Sequence, residues 1–252
     1  MAFSIVVLVK QTPDLNAVRV DKTSGKALLG DQLVISSADA NAIEAALQLK
    51  EAHGGEVTVV AAGPASVKDV IQRTLAMGAD KGVIIPVDGV NSIDTLALAK
   101  AIAPVVQGIG FDLILTGQNS DDYESGQVAA QVAELLGVAQ VSWVTKLASE
   151  GATLTMERDT EDGKQGVVAS TPMLVMAADG LNEPRLPSLK GIMAAKKKPV
   201  ETVAAPSVGS SGISWSEPVA QQKSAGGIIV QDKPAAEAAA ALVAWLKENK
   251  LV

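Results

Sequence analysis

Between Phe3 and Gly137, short apolar runs alternate four times with amphipathic stretches, and no other feature restricts the fold as much. The runs Phe3 to Val9, Val57 to Ala62, Val83 to Val87 and Leu113 to Thr116 have the length and composition of buried strands. Ser36-x-x-Asp39 reads as a capping pair opening a helix with Ala42, Ala46, Leu47 and Leu49 on its apolar face, stopped by Gly54-Gly55. Gly63-Pro64 leads into a second helix that ends near Met77-Gly78. Pro64 there falls in a first turn, where its missing donor is harmless. Asn91-Ser92 is expected to cap a third helix running through Leu96, Leu98 and Ile102 to about Gln107, with a kink at Pro104. A fourth spans Gln127 to Leu136. This order predicts an α/β fold, a doubly wound and mostly parallel sheet of Rossmann or flavodoxin type with right-handed crossovers.

Past Gly137 the pattern changes. Val141 to Leu147, Ala152 to Arg158, Gln165 to Ser170 and Met173 to Ala177 are short strands, with turn signals at Glu150-Gly151 and Glu161-Asp-Gly163. They predict a local antiparallel addition to the sheet. Residues 11–32, with Val18-Arg-Val20 and Ala27-Leu-Leu29 around Lys22-Thr-Ser-Gly25, predict a small hairpin or an irregular arm. Residues 200–232 are rich in Ser, Gly, Ala and Pro around Trp215 and read as an extended arm. Pro234 to Asn249 is an amphipathic helix bearing Ala239, Leu242, Val243 and Leu246, with Trp245 beside that stripe. The expected division is a 1–199 α/β domain and a 200–252 arm with its helix, which either wraps a partner or packs back on its own domain.

Composition narrows the chemistry. Aromatic residues make up 2% and hydrophobic residues 48%, so the core is one of Ala, Val, Leu and Ile. Without cysteine there are no disulfides, thiolate metal sites or thiol nucleophiles. The single histidine, His53, falls at a helix end, which leaves no His-based triad and no multi-His metal site. A net charge of −7 argues against nucleic acid as the main ligand. No apolar run reaches the length of a membrane span, and the N-terminus lacks the basic region of a signal peptide. The expectation is a soluble, cytoplasmic protein, not membrane-embedded, with no metal site.

Ligands of open parallel sheets bind beyond the carboxyl ends of the strands, where strand order reverses. Three segments qualify: Val9-Lys10-Gln11, Ala62-Gly63-Pro64, and the loop from Thr116 through Gly117 to Gln127. Ser125-Gly126-Gln127 opens a helix, where free N–H groups favour a phosphate. Against that stand Asp121, Asp122 and Glu124, which repel an anion unless they turn outward, cap backbone donors or bind ribose hydroxyls. A polar turn that merely caps the helix is the plain alternative. Neither a G-x-G-x-x-G fingerprint nor a P-loop is present.

The second feature is the stretch from Asp179 to Pro199, which carries Pro184, Pro187 and Pro199. Prolines fix φ and restrict the preceding residue, so an extended, presented segment is expected. Leu189, between Ser188 and Lys190 and followed by Ile192 and Met193, is then either an exposed partner-binding anchor or a linker residue tucked into a core. Lys196-Lys-Lys198 is a solvated loop or a docking patch for an acidic partner.

Leu181-Asn-Glu-Pro-Arg185 with Gly191-Ile-Met193 and Lys196-Lys-Lys-Pro199 resembles the signature of electron-transfer flavoprotein beta subunits, and the resemblance runs from Ile5 to about Pro199. It implies one half of a heterodimer with an alpha subunit that binds most of the FAD. It implies an electron carrier between flavin dehydrogenases, such as the acyl-CoA dehydrogenases of fatty acid oxidation, and a membrane quinone oxidoreductase or another acceptor. The segment Arg185, Leu186, Pro187, Ser188, Leu189, Lys190, Gly191, Ile192, Met193 and Ala194 corresponds to the loop that docks on those dehydrogenases, with Leu189 as its anchor. Nucleotide contacts carry over to Leu8 or Val9, to Ser36, Ser37, Ala38 and Asp39, and to Ala62. They also carry over to Gly117, Gln118, Asn119, Ser120, Asp121, Asp122, Tyr123, Glu124, Ser125, Gly126, Gln127 and Val128. The nucleotide is AMP, or a second FAD in the flavin-bifurcating branch. Leu15, where relatives carry a tyrosine, and Asp159 fall near the flavin interface. No residue is assigned acid–base or covalent chemistry. The rival from another class is a stand-alone nucleotide sensor resembling the universal stress proteins; a nucleotide hydrolase or ligase is disfavoured for want of general bases and a phosphate-binding lysine motif.

Overall fold

In the computed structural model, which describes residues 2–89, 94–204, 212–214, 216 and 227–252, β1 (Phe3–Val9) lies inside a nine-stranded sheet. Every β1 residue except Ser4 is apolar and buried, which only a strand covered on both faces can satisfy. It pairs in parallel with β6 (Gly55–Gly63) on one side and β8 (Leu113–Gly117) on the other. Beyond β6 come β7 (Lys81–Pro86) and the edge strand β13 (Val200–Thr202). Beyond β8 come β12 (Met173–Ala177), β9 (Ala139–Glu150), β10 (Thr153–Thr160) and β11 (Gly163–Ser170).

The meander of β9, β10 and β11 is the expected antiparallel addition. Met173 to Ala177 is not part of it. That strand re-enters the sheet between β8 and β9 and is parallel to both. Its five residues are all apolar and all buried, as a strand paired on both edges and covered on both faces requires.

Four helices cover the sheet. Alternate side chains of β1 point to opposite faces. Ile5 and Val7 pack with α1 (Ser37–His53) and α2 (Val67–Met77) through Ile43, Leu47, Ile71 and Leu75. Val6 and Leu8 pack with α3 (Thr95–Ile109) and α4 (Val128–Leu136) through Ile102, Val106 and Val132. Burying each such aliphatic side chain contributes about 1.5–3 kcal/mol. Asp94 caps α3, its side chain accepting from Ala97 N at 2.7 Å; the expected Asn91-Ser92 cap lies outside the described residues. Trp215 also lies outside them. His53 ends α1, packs edge-on against Phe3 and shares a 2.7 Å hydrogen bond with Ser149 Oγ.

Residues 11–35 form the expected arm, with β2 (Gln11–Pro13) against β5 (Leu33–Ile35) and a hairpin of β3 (Arg19–Val20) with β4 (Ala27–Leu28). The Asp179 to Pro199 segment departs from expectation. Its middle is not extended but a helix, α5 (Leu189–Ala195), with the Ser188 hydroxyl accepting from Gly191 N at 3.0 Å. The prolines bracket this stretch without entering it, and a Ser cap followed by Gly-Ile-Met-Ala-Ala is free to turn. The last helix, α6 (Ala235–Glu248), buries none of its residues.

Candidate functional site

The chain leaves β1 through α1 to β6 and β7, then crosses by α3 to β8 on the far side of β1. Strand order therefore reverses between β1 and β8, and a cleft opens above their carboxyl ends. Its volume is about 1020 Å³ with the open mouth included. Leu8, Val9 and Ala62 form its floor, as the sequence predicts, together with Val60 and Thr116. Gly117, Gln118, Asn119, Ser120, Tyr123, Ser125, Gly126, Gln127 and Val128 line one wall. Thr95, Leu98 and Ile102 of α3 also line the cleft, next to the start of α4, where Thr95 Oγ1 donates to Gln127 Oε1 at 2.9 Å; their signal in the sequence was the helix itself, since a crossover at a switch point must flank the crevice.

The loop from Gly117 to Gly126 is strapped to the start of α1. Asp39, 5% exposed, accepts from Lys10 N at 2.7 Å and from Gly117 N at 2.8 Å, tying the ends of β1 and β8 together. Asp121 accepts from Ser37 N at 2.9 Å and from its hydroxyl at 2.6 Å, while Ser36 Oγ accepts from Asp121 N at 3.1 Å. Ser36 and Asp39 thus do not form the expected capping pair. Both are spent on the neighbouring strand ends and loop, and Asp121 caps α1 from outside. Gly117 is required by this approach, because a Cβ there would meet Asp39 N at 2.7 Å. Gly126 sits at φ +60, and a Cβ would meet Asn119 Oδ1 at 2.7 Å.

The acidic residues do not face the cleft together. Asp121 is used on α1. Asp122 Oδ1 accepts from Lys10 Nζ at 2.7 Å, and that ammonium lies 4.9 Å from the centre of the Tyr123 ring. Glu124 is exposed at φ 49. Ser36, Ser37, Ala38, Asp121, Asp122 and Glu124 therefore lie behind or beside the cleft lining, and Asp39 is at its base. Lys10, in one of the three segments that the sequence places at the strand ends, is the cation of this loop. Gln127 opens α4 without a side-chain cap, and Gln127, Val128 and Ala129 at its start line the cleft beside Ser125 and Gly126.

Burial pushes the Asp39 carboxyl up to about 7, and the nearby Asp121 charge adds to the rise. The backbone donors of Lys10 and Gly117, and the Lys10 charge, oppose it.

The second candidate region is the α5 ridge. Leu186 is 81% exposed and Leu189 77%, with Ile192 and Met193 also exposed. Leu189 is therefore on the surface and not in a core. Arg185 faces inward: its N and Nε donate to Glu44 Oε2 at 3.1 and 2.7 Å, Nη2 donates to Glu44 Oε1 at 2.9 Å, and Nη1 reaches Glu51. Burial alone would raise the Glu44 carboxyl, but these bonds hold it below its ordinary value, and both glutamates raise Arg185. Asn182 and Asn41 exchange amide hydrogen bonds at 2.7 and 2.9 Å. Gly191 packs so closely that a Cβ would meet Ala76 O at 2.3 Å. Lys198 turns inward and donates to Leu75 O at 2.9 Å and to Ala79 O, so the lysine cluster splits into an inner residue and the exposed Lys196 and Lys197.

Leu15 lies exposed on the arm, and Asp159 sits on β10, 3.8 Å from Lys164 Nζ. Opposite Met176, Ser142 and Trp143 form a bulge in β9, with Trp143 at φ 58 and its N–H donating to Gln118 Oε1 at 2.7 Å. Among the described residues no helix is long and apolar enough to cross a membrane, and no cluster of acidic, His or Cys side chains could hold a metal ion.

Residues 28–208 match the profile of the family described as Electron transfer flavoprotein domain. The protein Electron transfer flavoprotein subunit beta of Syntrophomonas wolfei is 39% identical over 253 residues, covering 99% of this chain and 98% of its own length. Its namesake from Clostridium acetobutylicum is 35% identical over 258 residues, covering 99% of this chain and all (100%) of its own. That of Thermoanaerobacterium thermosaccharolyticum is 39% identical over 197 residues, covering 77% of this chain and 75% of its own. With the sheet, the cleft at its switch point and the signature Leu181 to Arg185 clamped on α1, this similarity along the chain makes the protein a member of the electron transfer flavoprotein beta subunit family.

Proposed function

We propose that this chain works in a heterodimer with a flavin-carrying alpha subunit, holds AMP in the β1/β8 cleft, and receives flavin dehydrogenases on the α5 ridge. The observation that carries the nucleotide reading is the uncapped start of α4, which opens on the cleft beside Gly126 and Ser125. A phosphate there would accept from first-turn N–H groups and gain from the helix dipole. Of the carboxylates that would repel it, Asp121 is bonded to α1 and Asp122 to Lys10, and Glu124 is exposed outside the cleft lining. Leu8, Val60, Ala62, Leu98 and Ile102 offer an apolar bed for a base. A bound nucleotide would also stabilise the fold by linkage.

When bound in the heterodimer, FAD supplies the one- and two-electron chemistry, and acyl-CoA dehydrogenases are the proposed donors, with a quinone oxidoreductase the proposed acceptor. The residues of this chain bind and position. Leu186, Leu189 and Met193 form an apolar ridge for a donor, Leu15 and Asp159 stand toward the flavin-bearing subunit, and the 200–252 arm with α6 wraps that subunit. The 1–199 portion is the nucleotide-binding unit, and the setting is the cytoplasm.

Denaturing the purified heterodimer and chromatographing what is released tests this reading. One AMP and one FAD per heterodimer is the expected result. Two FAD molecules would replace AMP with a second flavin and point to bifurcation. Release of FAD alone would remove the nucleotide from the cleft.

A further inference from the structure

We propose that Glu44, in the middle of α1, is the positioning residue of the docking ridge: it meets no partner itself, yet it fixes where Leu186, Leu189 and Met193 stand. The proposal rests on the docking reading above and moves one layer inward from it. Glu44 is 4% exposed, so an incoming protein does not reach it. Both of its oxygens accept from Arg185, and Oε1 also accepts from Gln48 Nε2 at 3.0 Å. Arg185 therefore spends its guanidinium on α1. Its place in the ridge sequence is that of a rivet, while the contact surface begins at Leu186.

The geometry is that of a rigid mount. The chain is fixed ahead of the ridge by Asn182 on Asn41 and by Arg185 on Glu44 and Glu51. Behind it, Gly191 seats against Ala76 O and Lys198 enters the end of α2. Leu186, Leu189 and Met193 lie on the surface between these points. An apolar side chain contributes most to association when its backbone is already ordered, because the ordering cost is then absent from the binding step. The bidentate Arg–carboxylate geometry specifies position as well as energy, which a point charge would not. Loss of the mount should weaken docking without touching any atom a donor contacts.

The test uses the chain copurified with its flavin-bearing subunit. Glu44→Gln keeps one carbonyl acceptor and removes the charge. Its amides across residues 186–195 should exchange at least about tenfold faster, with β1 amides unchanged. The KM for reduction by an acyl-CoA dehydrogenase should rise about tenfold at unchanged kcat. A folded Glu44→Gln protein with wild-type ridge exchange, or with faster exchange and wild-type KM, overturns the proposal. Should Glu44→Gln fail to fold, the exposed Glu51→Gln serves: a rise of about twofold in ridge exchange supports the mount, and no change overturns it. Leu189→Ala separates the two readings. If it leaves KM unchanged, the ridge is not the docking surface and the docking proposal fails. The exchange data then still decide whether Glu44 fixes the ridge.

Discussion

Helix α1 fastens two surfaces, and it does so by opposite chemistry. At its start a buried carboxylate, Asp39, holds the cleft loop by accepting backbone N–H groups. At its middle a second carboxylate, Glu44, holds the ridge through the Arg185 guanidinium. Burial without a bonded cation drives the first group up to about 7; a bidentate cation keeps the second below its ordinary value. The two fastenings should therefore answer pH with opposite sign. A carboxylate's stabilising role is set by what neutralises it more than by how deeply it lies.

The largest test is at Asp39. Between about pH 4 and 7 the folded chain keeps a proton there that the unfolded chain has released, so this group's contribution is full at the acid end and drains as pH rises through 7. The loss amounts to about 1.4 kcal/mol per pH unit, roughly 4 kcal/mol across the window. Denaturant titrations of wild type and Asp39→Asn should show this slope in the first and its absence in the second. Equal slopes would mean that the Lys10 and Gly117 donors keep Asp39 ionised throughout.

At the ridge, Arg185→Met leaves Glu44 buried without its cation and should cost about 2 kcal/mol, moderated because Arg185 is partly exposed. The midpoint of denaturant unfolding measures it, and an unchanged midpoint would reduce the clamp to a surface pair. The same carboxylate stabilises above its unfolded value and loses that contribution as pH falls through its lowered one. Amide exchange across residues 186–195, corrected for its intrinsic pH dependence, should therefore accelerate as pH falls below the ordinary carboxylate range, where the Asp39 contribution to stability is full. Exchange that instead accelerates toward neutral pH would break the contrast. Lys198→Met is a smaller perturbation. It leaves Leu75 O and Ala79 O without their donor and should cost about 1 kcal/mol. Leu189→Ala should move stability least, within about 0.5 kcal/mol, because the side chain is already in water.

The sheet was legible because buried parallel strands announce themselves as unbroken apolar runs. Met173 to Ala177 had that signature too, but the hairpin signals before it drew it into the meander, and sequence adjacency said nothing of its return between β8 and β9. The cleft was legible from topology, since a switch point needs only strand and helix order. Its fastenings were not. Ser36-x-x-Asp39 has the spacing of a capping pair, and spacing cannot tell whether a carboxylate reaches back to its own helix or forward to two strand ends. Lys10 stood in a named strand-end segment, but its pairing was hidden for a similar reason: its partner Asp122 is remote in sequence. In the ridge, proline positions gave the brackets but not the helical turn between them. Arg185 looked like a surface contact until Glu44, 141 residues away, accounted for its donors.

The bulge at Trp143 gives the protein an optical gauge. A tryptophan in the left-handed region is held there at a cost, and its amide is satisfied by a side chain that also lines the cleft. Anything entering the cleft that claims the Gln118 carboxamide would release the indole from that constraint. With Trp215 and Trp245 replaced by phenylalanine, the emission of the remaining chromophore would report occupancy without any added dye.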